Sequence, residues 1–376
     1  MRVPAPAGGA AGTAARLALR TGLTLLLLAL LSLPAAALDL EAELGTDGVA
    51  EALPPAASAA LEGLEVSGVT VESGLARIWT MVRERFHSAL TEALRPAAAV
   101  AAIVLLCSLL DQFPGPGDFD FVQLGGCLAV AALSLGDLQS AMALGSATLD
   151  ELGEFSHVLL PALTTAAISG GAITSAGAKY AAAALFSDLL LTAAQNLILP
   201  MLTAIAATSA AGAALGTKQL QGVEKLLTWL GRSLLKYLTL GFTAYLGFTG
   251  VLSGSADAAA VKAARSVLST ALPVVGRMLS DASASLVAGV GMLRSALGVF
   301  GALGVVAAVA LPLLRLGLRC LLFRAAAALG GVVAGERMGR LLTGIGNVYA
   351  MLMGLVGTGA VILLLSIISL VRTVTG

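Results

Sequence analysis

Long apolar runs follow one another through most of this chain, and they restrict its possible folds more than any other feature. Apolar residues make up 58% of the sequence, charged residues only 12%, and the mean hydropathy is +0.94. These values are far from those of soluble domains and indicate an integral membrane protein, whose backbone polar groups must pair within the protein. The sequence therefore predicts an all-α, polytopic protein with five to seven spans, some of them short, re-entrant or amphipathic.

Residues 1–37 have the layout of a secretory signal peptide. Three arginines precede an apolar core, Leu23–Leu33, which is followed by a proline and three alanines. The core is shorter than the ~20 residues that a spanning helix needs, which favours cleavage after Ala37 over an uncleaved anchor. In both cases we expect the segment that follows to be exported.

The exported segment, residues 38–95, is the most hydrophilic part of the chain. Its first half is acidic and rich in proline and alanine, which indicates a loosely ordered stretch. In its second half apolar residues recur every three or four positions, on one side of a helix: Leu75, Ile78, Val82, Phe86, Ala89 and Ala93. This amphipathic helix either lies against the membrane body or offers a docking surface to a partner outside the membrane.

Charge is unevenly distributed along the chain. Residues 38–190 contain 18 acidic and 5 basic residues, whereas residues 191–376 contain 4 acidic and 14 basic residues. The basic residues stand singly between apolar runs, which is typical of loops retained in the cytoplasm and not of a nucleic-acid-binding surface. The strongest such signal is residues 217–236, so we expect a cytoplasmic loop there.

Membrane helices are predicted on both sides of a more polar segment, over residues 96–254 and 297–376. The first two apolar runs, residues 97–110 and 121–135, are short against the ~30 Å of hydrocarbon in a bilayer. They form either an interfacial or re-entrant hairpin or two full spans.

The chain contains none of the common catalytic or nucleotide-binding motifs. A GxxxxGK[ST] loop, a GxSxG turn and an HExxH pair are all absent from the sequence, and its two histidines and three cysteines are scattered. We therefore expect a non-enzyme, with no catalytic, cofactor-binding or metal-binding residues. Energy for any transport would come from another protein or from a gradient.

Asp188 is the acidic residue that lies deepest within an apolar run. In lipid such a group usually faces a bundle interior, a water-filled cavity or the interface. Asp188 is therefore a candidate intramembrane charge, and the alternative is a residue near a helix end that reaches the headgroups.

Residues 255–296 form a broken amphipathic element. Pro273 removes a backbone donor and Gly276 adds flexibility, so the LPVVG sequence divides one helix into two. Irregular backbone at membrane depth needs protein or water around it, so the break is either a surface loop or a pore-facing element. The candidate functional residues of this element are its charged groups and helix breakers: Asp257, Lys262, Arg265, Pro273, Gly276, Arg277 and Asp281.

Glycines recur at four-residue spacing in two places. Gly250 and Gly254 form one pair, and Gly331, Gly335 and Gly339 form a longer series. Such spacing lets helix backbones approach closely. The contacts lie either within one subunit or between the subunits of a homo-oligomer.

The sequence from Thr249 onward resembles a known family. The segment TGVLSGSADAAAVKAARSVLSTALPVVGRMLSDA is followed by LRSALGVFG and then by a long apolar run that contains Pro312. This order of features resembles the stage III sporulation protein AE family, and LPVVGRMLSD (Leu272–Asp281) is its most specific part. The likeness extends from about Asp188 to the C-terminus, and the signal peptide, exported segment and total length are also similar to that family.

The resemblance implies a subunit of the channel complex that endospore-forming bacteria assemble between the mother cell and the engulfed forespore. In that family the protein is a multi-pass component of the mother-cell-derived outer forespore membrane. The implied partners are a cytoplasmic ATPase, small membrane proteins, ring-forming proteins of the intermembrane space and a forespore-side protein. The complex sustains forespore gene expression after engulfment, and the family defines no catalytic residues.

A non-enzymatic channel subunit is thus the first hypothesis, with Gly250–Gly301 as its working element and membrane lipid around it. The second is a transporter permease for a small solute, coupled to a separate ATPase, with Asp188 and the Arg277/Asp281 pair in its pathway. The third is a structural membrane scaffold that recruits the ring-forming proteins through residues 38–94.

Overall fold

A computed structural model describes most of the chain from Thr46 onward, and all of these residues belong to one unit, Thr46–Gly376. The predicted signal peptide lies outside the described residues. For residues 46, 47, 121, 250–271 and 275–290 only the backbone is described. The described ranges are 46–63, 66, 68–110, 121–216, 219–271 and 275–372.

Helices account for nearly all of these ranges, with no strand among them, which confirms the predicted all-α class. Two short helices come first, α1 (Thr46–Glu51) and α2 (Pro55–Leu61). Seven longer helices follow: α3 (Val71–Leu110), α4 (Phe121–Ser169), α5 (Ile173–Ala193), α6 (Leu199–Leu215), α7 (Gln219–Ala271), α8 (Val275–Val333) and α9 (Glu336–Val371).

Five segments of the described chain are long and apolar enough to cross a membrane, at the lower end of the predicted five to seven. They use all or part of α3, α4, the α5–α6 pair, α8 and α9: Val71–Leu110, Val122–Ser169, Ile173–Leu215, Gly291–Val333 and Glu336–Val371.

The two short apolar runs of the sequence are parts of much longer helices. Residues 97–110 are the C-terminal end of α3, which has 40 residues and is therefore ~60 Å long. Residues 121–135 begin α4, which has 49 residues. Pro96 lies inside α3, because the Ala-, Leu-, Arg- and Glu-rich sequence before it favours helix strongly. Neither run forms a separate short hairpin helix.

The α5–α6 segment changes its helical geometry just before a proline. A π-helical turn, Ala194–Ile198, lies between the two α-helices, and Pro200 follows in the first turn of α6. Proline lacks the N–H that an α-helix needs at this position, and a π turn is one way to accommodate the missing bond. An irregular turn therefore directly precedes Pro200.

Close approach of two glycines joins α8 to α9. A Cβ atom on Gly339 would lie 2.7 Å from the Cα atom of Gly331, so only glycine fits. Gly335, between them, has a φ of 88° in the turn that precedes α9, a conformation that other residues rarely adopt. This series of glycines therefore packs helices within one subunit.

Helix α3 lies against α8 through small side chains. A Cβ atom on Gly74 would lie 2.2 Å from the Leu303 side chain, and Ile78, Ala89 and Ala93 are buried. Small residues let two helices approach closely, and here they form a narrow strip of buried residues along α3. The second half of the predicted exported segment thus packs on the membrane body.

Part of the predicted apolar face of α3 is left outside that contact. Leu75 and Phe86 are exposed, and so is Trp79, whose side chain is 69% exposed. The sequence pattern placed Leu75 and Phe86 on the buried face, but the contact uses the narrower strip of small residues beside them. An apolar stripe therefore remains uncovered on the outer side of α3.

Helix α7 ends just before the LPVVG sequence, residues 272–276, and α8 begins within it. Helix α7 ends at Ala271 and α8 begins at Val275. The residues between them, including Pro273, lie outside the described ranges, and the choice between a surface loop and a pore-facing element stays a prediction.

Candidate functional site: a charged network between four helices

Four helices place polar side chains at one point between them. Arg315 and Arg319 stand four residues apart on α8 and therefore share one face of that helix. Glu92 of α3 and Asp137 of α4 approach the arginines, and Tyr349 of α9 completes the group. These five residues form the charged network.

Arg319 is the centre of the network. Its Nη2 atom lies 3.1 Å from Glu92 Oε1 and 3.2 Å from Asp137 Oδ1, so one nitrogen joins carboxylates from two other helices. The Arg319 side chain is only 7% exposed.

Tyr349 connects the network to the core of α9. Its hydroxyl donates a hydrogen bond to Asp137 Oδ2 at 2.5 Å. Its ring is fully buried and stacks on Phe323 of α8, with centroids 5.3 Å apart and ring planes at 27°. The two contacts fix α9 against both α4 and α8.

The network runs from a buried centre to the protein surface. Glu92 is 49% exposed and Arg315 is 38% exposed, and Arg315 Nε lies 3.8 Å from Glu92 Oε2. The Glu92–Arg315 end is open to whatever surrounds the helices, whereas Arg319 and Asp137 are shielded.

The charges of the network balance, with two carboxylates facing two guanidinium groups. An ionised group among membrane helices is costly unless it is paired, and removing one partner of a buried pair costs about 3–5 kcal/mol. The shielded pair of Arg319 and Asp137 is therefore the part of the network that is most sensitive to the loss of a charge. The network contains no nucleophile with an adjacent base, so its chemistry is ionic pairing between helices.

A metal site is not found in the described part of the chain, which contains no group of three or more His, Cys, Asp or Glu residues able to hold an ion. Cys107, Cys127 and Cys320 are buried.

A second polar cluster lies where α7 meets α9. Arg232 Nη2 donates to Asn347 Oδ1 at 3.4 Å. Burial raises the pKa of Glu224 above its ordinary value, while neighbouring Asn347 and Lys225 act against that rise. This cluster belongs to the basic segment predicted as a cytoplasmic loop, which from Gln219 onward is the first part of α7.

Asp188, the predicted intramembrane charge, lies on α5 with its side chain exposed. It is not part of the charged network. The buried cation of α5 is Lys179, whose Nζ donates to the Ser369 carbonyl near the end of α9 at 2.9 Å.

None of the predicted functional residues of the broken element is a member of the charged network, and their side chains are not described. Six of them lie on α7 or α8, where only the backbone is described: Asp257, Lys262, Arg265, Gly276, Arg277 and Asp281. Pro273, the seventh, lies outside the described residues.

None of the five residues of the charged network was among the candidate functional residues predicted from the sequence. The available signal was the spacing of four between the two arginines, which puts both on one helix face and calls for acidic partners. The helices that supply those partners are far away in sequence, so the pairing required the fold.

Comparison with known proteins places the chain in a family. No curated protein and no solved structure matched it. The family model for stage III sporulation protein AE matches residues 67–373, which include all of α3 to α9 and the whole charged network. The chain therefore belongs to the stage III sporulation protein AE family.

Proposed function

We propose that this protein is a non-enzymatic membrane subunit of a channel complex that joins the mother cell to the forespore and sustains late forespore gene expression. Family membership and five apolar helices support a membrane component of a sporulation complex. The channel role, the outer forespore membrane and the exported N-terminus are the further parts of the proposal. Its proposed partners are a cytoplasmic ATPase and ring-forming proteins between the two membranes.

The charged network is the observation that carries the channel role. It ties four helices into one body and brings an ion pair, Glu92 and Arg315, to the surface of an apolar bundle. Half-exposed charges on such a surface are stable where they meet water or the polar surface of another protein. This supports a membrane body that contacts a watery pathway or a further subunit at that end.

Deleting the gene in the sporulating host tests the proposal. We expect engulfment to be completed while a reporter of late forespore gene expression stays silent, and a copy of the gene expressed only in the mother cell should restore the signal. Normal late forespore expression in the deletion strain, or restoration only by a forespore-expressed copy, would contradict the proposal.

One observation favours the scaffold as a second function. Leu75, Trp79 and Phe86 form an uncovered apolar stripe on α3, in the segment proposed to be exported. Large aromatic side chains on an exposed surface are typical anchors of protein interfaces. We infer that this stripe docks the ring-forming proteins.

Substitution of the central aromatic residue tests the scaffold role. Trp79→Ser should abolish co-purification of the ring-forming proteins from sporulating cells while leaving the protein at its normal level in the membrane. Thr80→Ser, at the adjacent exposed position, is the control and should retain them. Undiminished co-purification with Trp79→Ser would argue against docking through α3.

A further inference from the structure

A groove between α7 and α9 has two adjoining parts with different chemistry. One part, with a volume of 340 Å³, is lined by Lys225, Trp229 and other polar residues of α7 and by Asn347 of α9. The other, of 520 Å³, is lined by two leucines, Gly354 and three threonines in addition to Arg232 and Lys236. Arg232 and Lys236 line both parts, so the two volumes adjoin at these two side chains.

Cations dominate the polar part. Lys225, Arg232 and Lys236 are exposed and follow one another at steps of seven and four residues, which places them on one face of α7. Glu224 is the acidic residue that lines this part, and its side chain is half-buried. Three cations facing one carboxylate leave a net positive charge, which favours an anionic ligand.

Trp229 stands between the cations on the same face, and its side chain is 63% exposed. An indole ring beside lysine and arginine is typical of the headgroup level of a bilayer, where the ring is partly in water and partly in lipid. The polar part therefore has the composition of a membrane interface.

The apolar part continues from these cations along the helix pair. Leu235 and Leu240 of α7 line it together with Gly354 of α9. A Cβ atom on Gly354 would come within 4 Å of Leu235 Cδ1 alone, at 3.8 Å, so the glycine leaves open space there. An extended hydrocarbon chain fits such a channel between two helices.

We propose that this groove binds an anionic phospholipid. The phosphate lies among Lys225, Arg232 and Lys236, and one acyl chain lies along Leu235 and Gly354. A cationic cavity that leads into an apolar one matches a molecule with a charged head and an apolar tail. An acidic protein segment or a free phosphate would fill only the polar part.

Lipid binding to the purified full-length chain in neutral detergent tests the proposal. Native mass spectrometry should show phosphatidylglycerol bound at least about tenfold more tightly than phosphatidylcholine, because the neutral lipid lacks a net charge for the cations to bind. Glycerol phosphate, which has the anionic group without the acyl chains, should bind far more weakly than phosphatidylglycerol.

Two variants separate the two parts of the groove. Arg232→Gln with Lys236→Gln should remove the preference for phosphatidylglycerol, whereas Arg83→Gln with Arg85→Gln, an equal loss of exposed charge on α3, should preserve it. Gly354→Phe should weaken binding of phosphatidylglycerol by filling the apolar part without changing any charge. Arg232→Lys should bind as the native chain does, which shows that substitution at this position permits folding.

Three results would overturn the proposal. Equal binding of the two lipids would show that the cations do not select an anionic head. Glycerol phosphate binding as tightly as phosphatidylglycerol would identify a simple anion site, and unchanged lipid binding by Gly354→Phe would remove the acyl chain from the groove. None of these measurements depends on sporulation, so their outcome is independent of the proposed channel role.

Discussion

At the scale of single residues, side-chain size at the helix contacts and charge pairing between helices decide how the helices pack. The lack of a side chain at Gly339 permits an approach to Gly331 that a Cβ atom at residue 339 would prevent, and Arg319 holds two carboxylates with one nitrogen. The four-residue spacing of the glycines was visible in the sequence, but whether they meet within one chain or between two chains was not. The partner of each helix is set by the whole bundle, and no local pattern contains that information.

Gly339→Ala tests the close approach of α8 and α9. The added methyl group would lie 2.7 Å from backbone Cα of Gly331, which cannot move aside as a side chain can, so we expect a loss of about 1–3 kcal/mol in stability. The midpoint of thermal unfolding in detergent measures it. Gly357→Ala, in open space on the same helix, is the matched control and should be neutral or stabilising. Equal midpoints for the two variants would contradict the proposed packing.

At the scale of helices, the sequence predicted the class and approximate positions of the elements better than their lengths. The apolar runs at residues 97–110 and 121–135 indicated helices, but each helix continues beyond its run by many residues. Hydropathy marks where lipid begins, whereas helix propensity and tertiary contact decide where a helix ends. Pro96 of α3 is an example: the sequence becomes apolar after this residue, but the helix continues through it.

The functional role of the broken element, residues 255–296, which includes the end of α7 and the start of α8, remains a prediction at this scale. We expect Pro273→Ala together with Gly276→Ala to impair sporulation while membrane insertion stays normal, because both changes favour a continuous helix. Spore yield and the protein level in isolated membranes are the measurements. Pro161→Ala with Gly136→Ala makes the same exchanges within α4 and should sporulate normally. Normal spore yield from the Pro273/Gly276 variant would show that the break has no role.

At the scale of the whole molecule, the charged network unites the N-terminal and C-terminal parts of the chain. Glu92 of α3 and Arg319 of α8 are separated by 227 positions and still form a direct hydrogen bond. Family resemblance in the sequence was clearest in the C-terminal half, and the matched region extends from residue 67 to residue 373. The network explains in physical terms why α3 belongs to the membrane body, since its carboxylate neutralises arginines of α8.

The most direct test of this account is the late forespore reporter in cells whose only copy of the gene carries Arg319→Gln. Loss of the buried cation leaves Glu92 and Asp137 without their shared partner, at a cost of about 3–5 kcal/mol, so we expect the reporter signal to fall to near that of the deletion strain. Arg83→Gln, an exposed arginine on α3, should give the native signal. A native reporter signal from Arg319→Gln, at the native protein level in the membrane, would contradict the central role of the network.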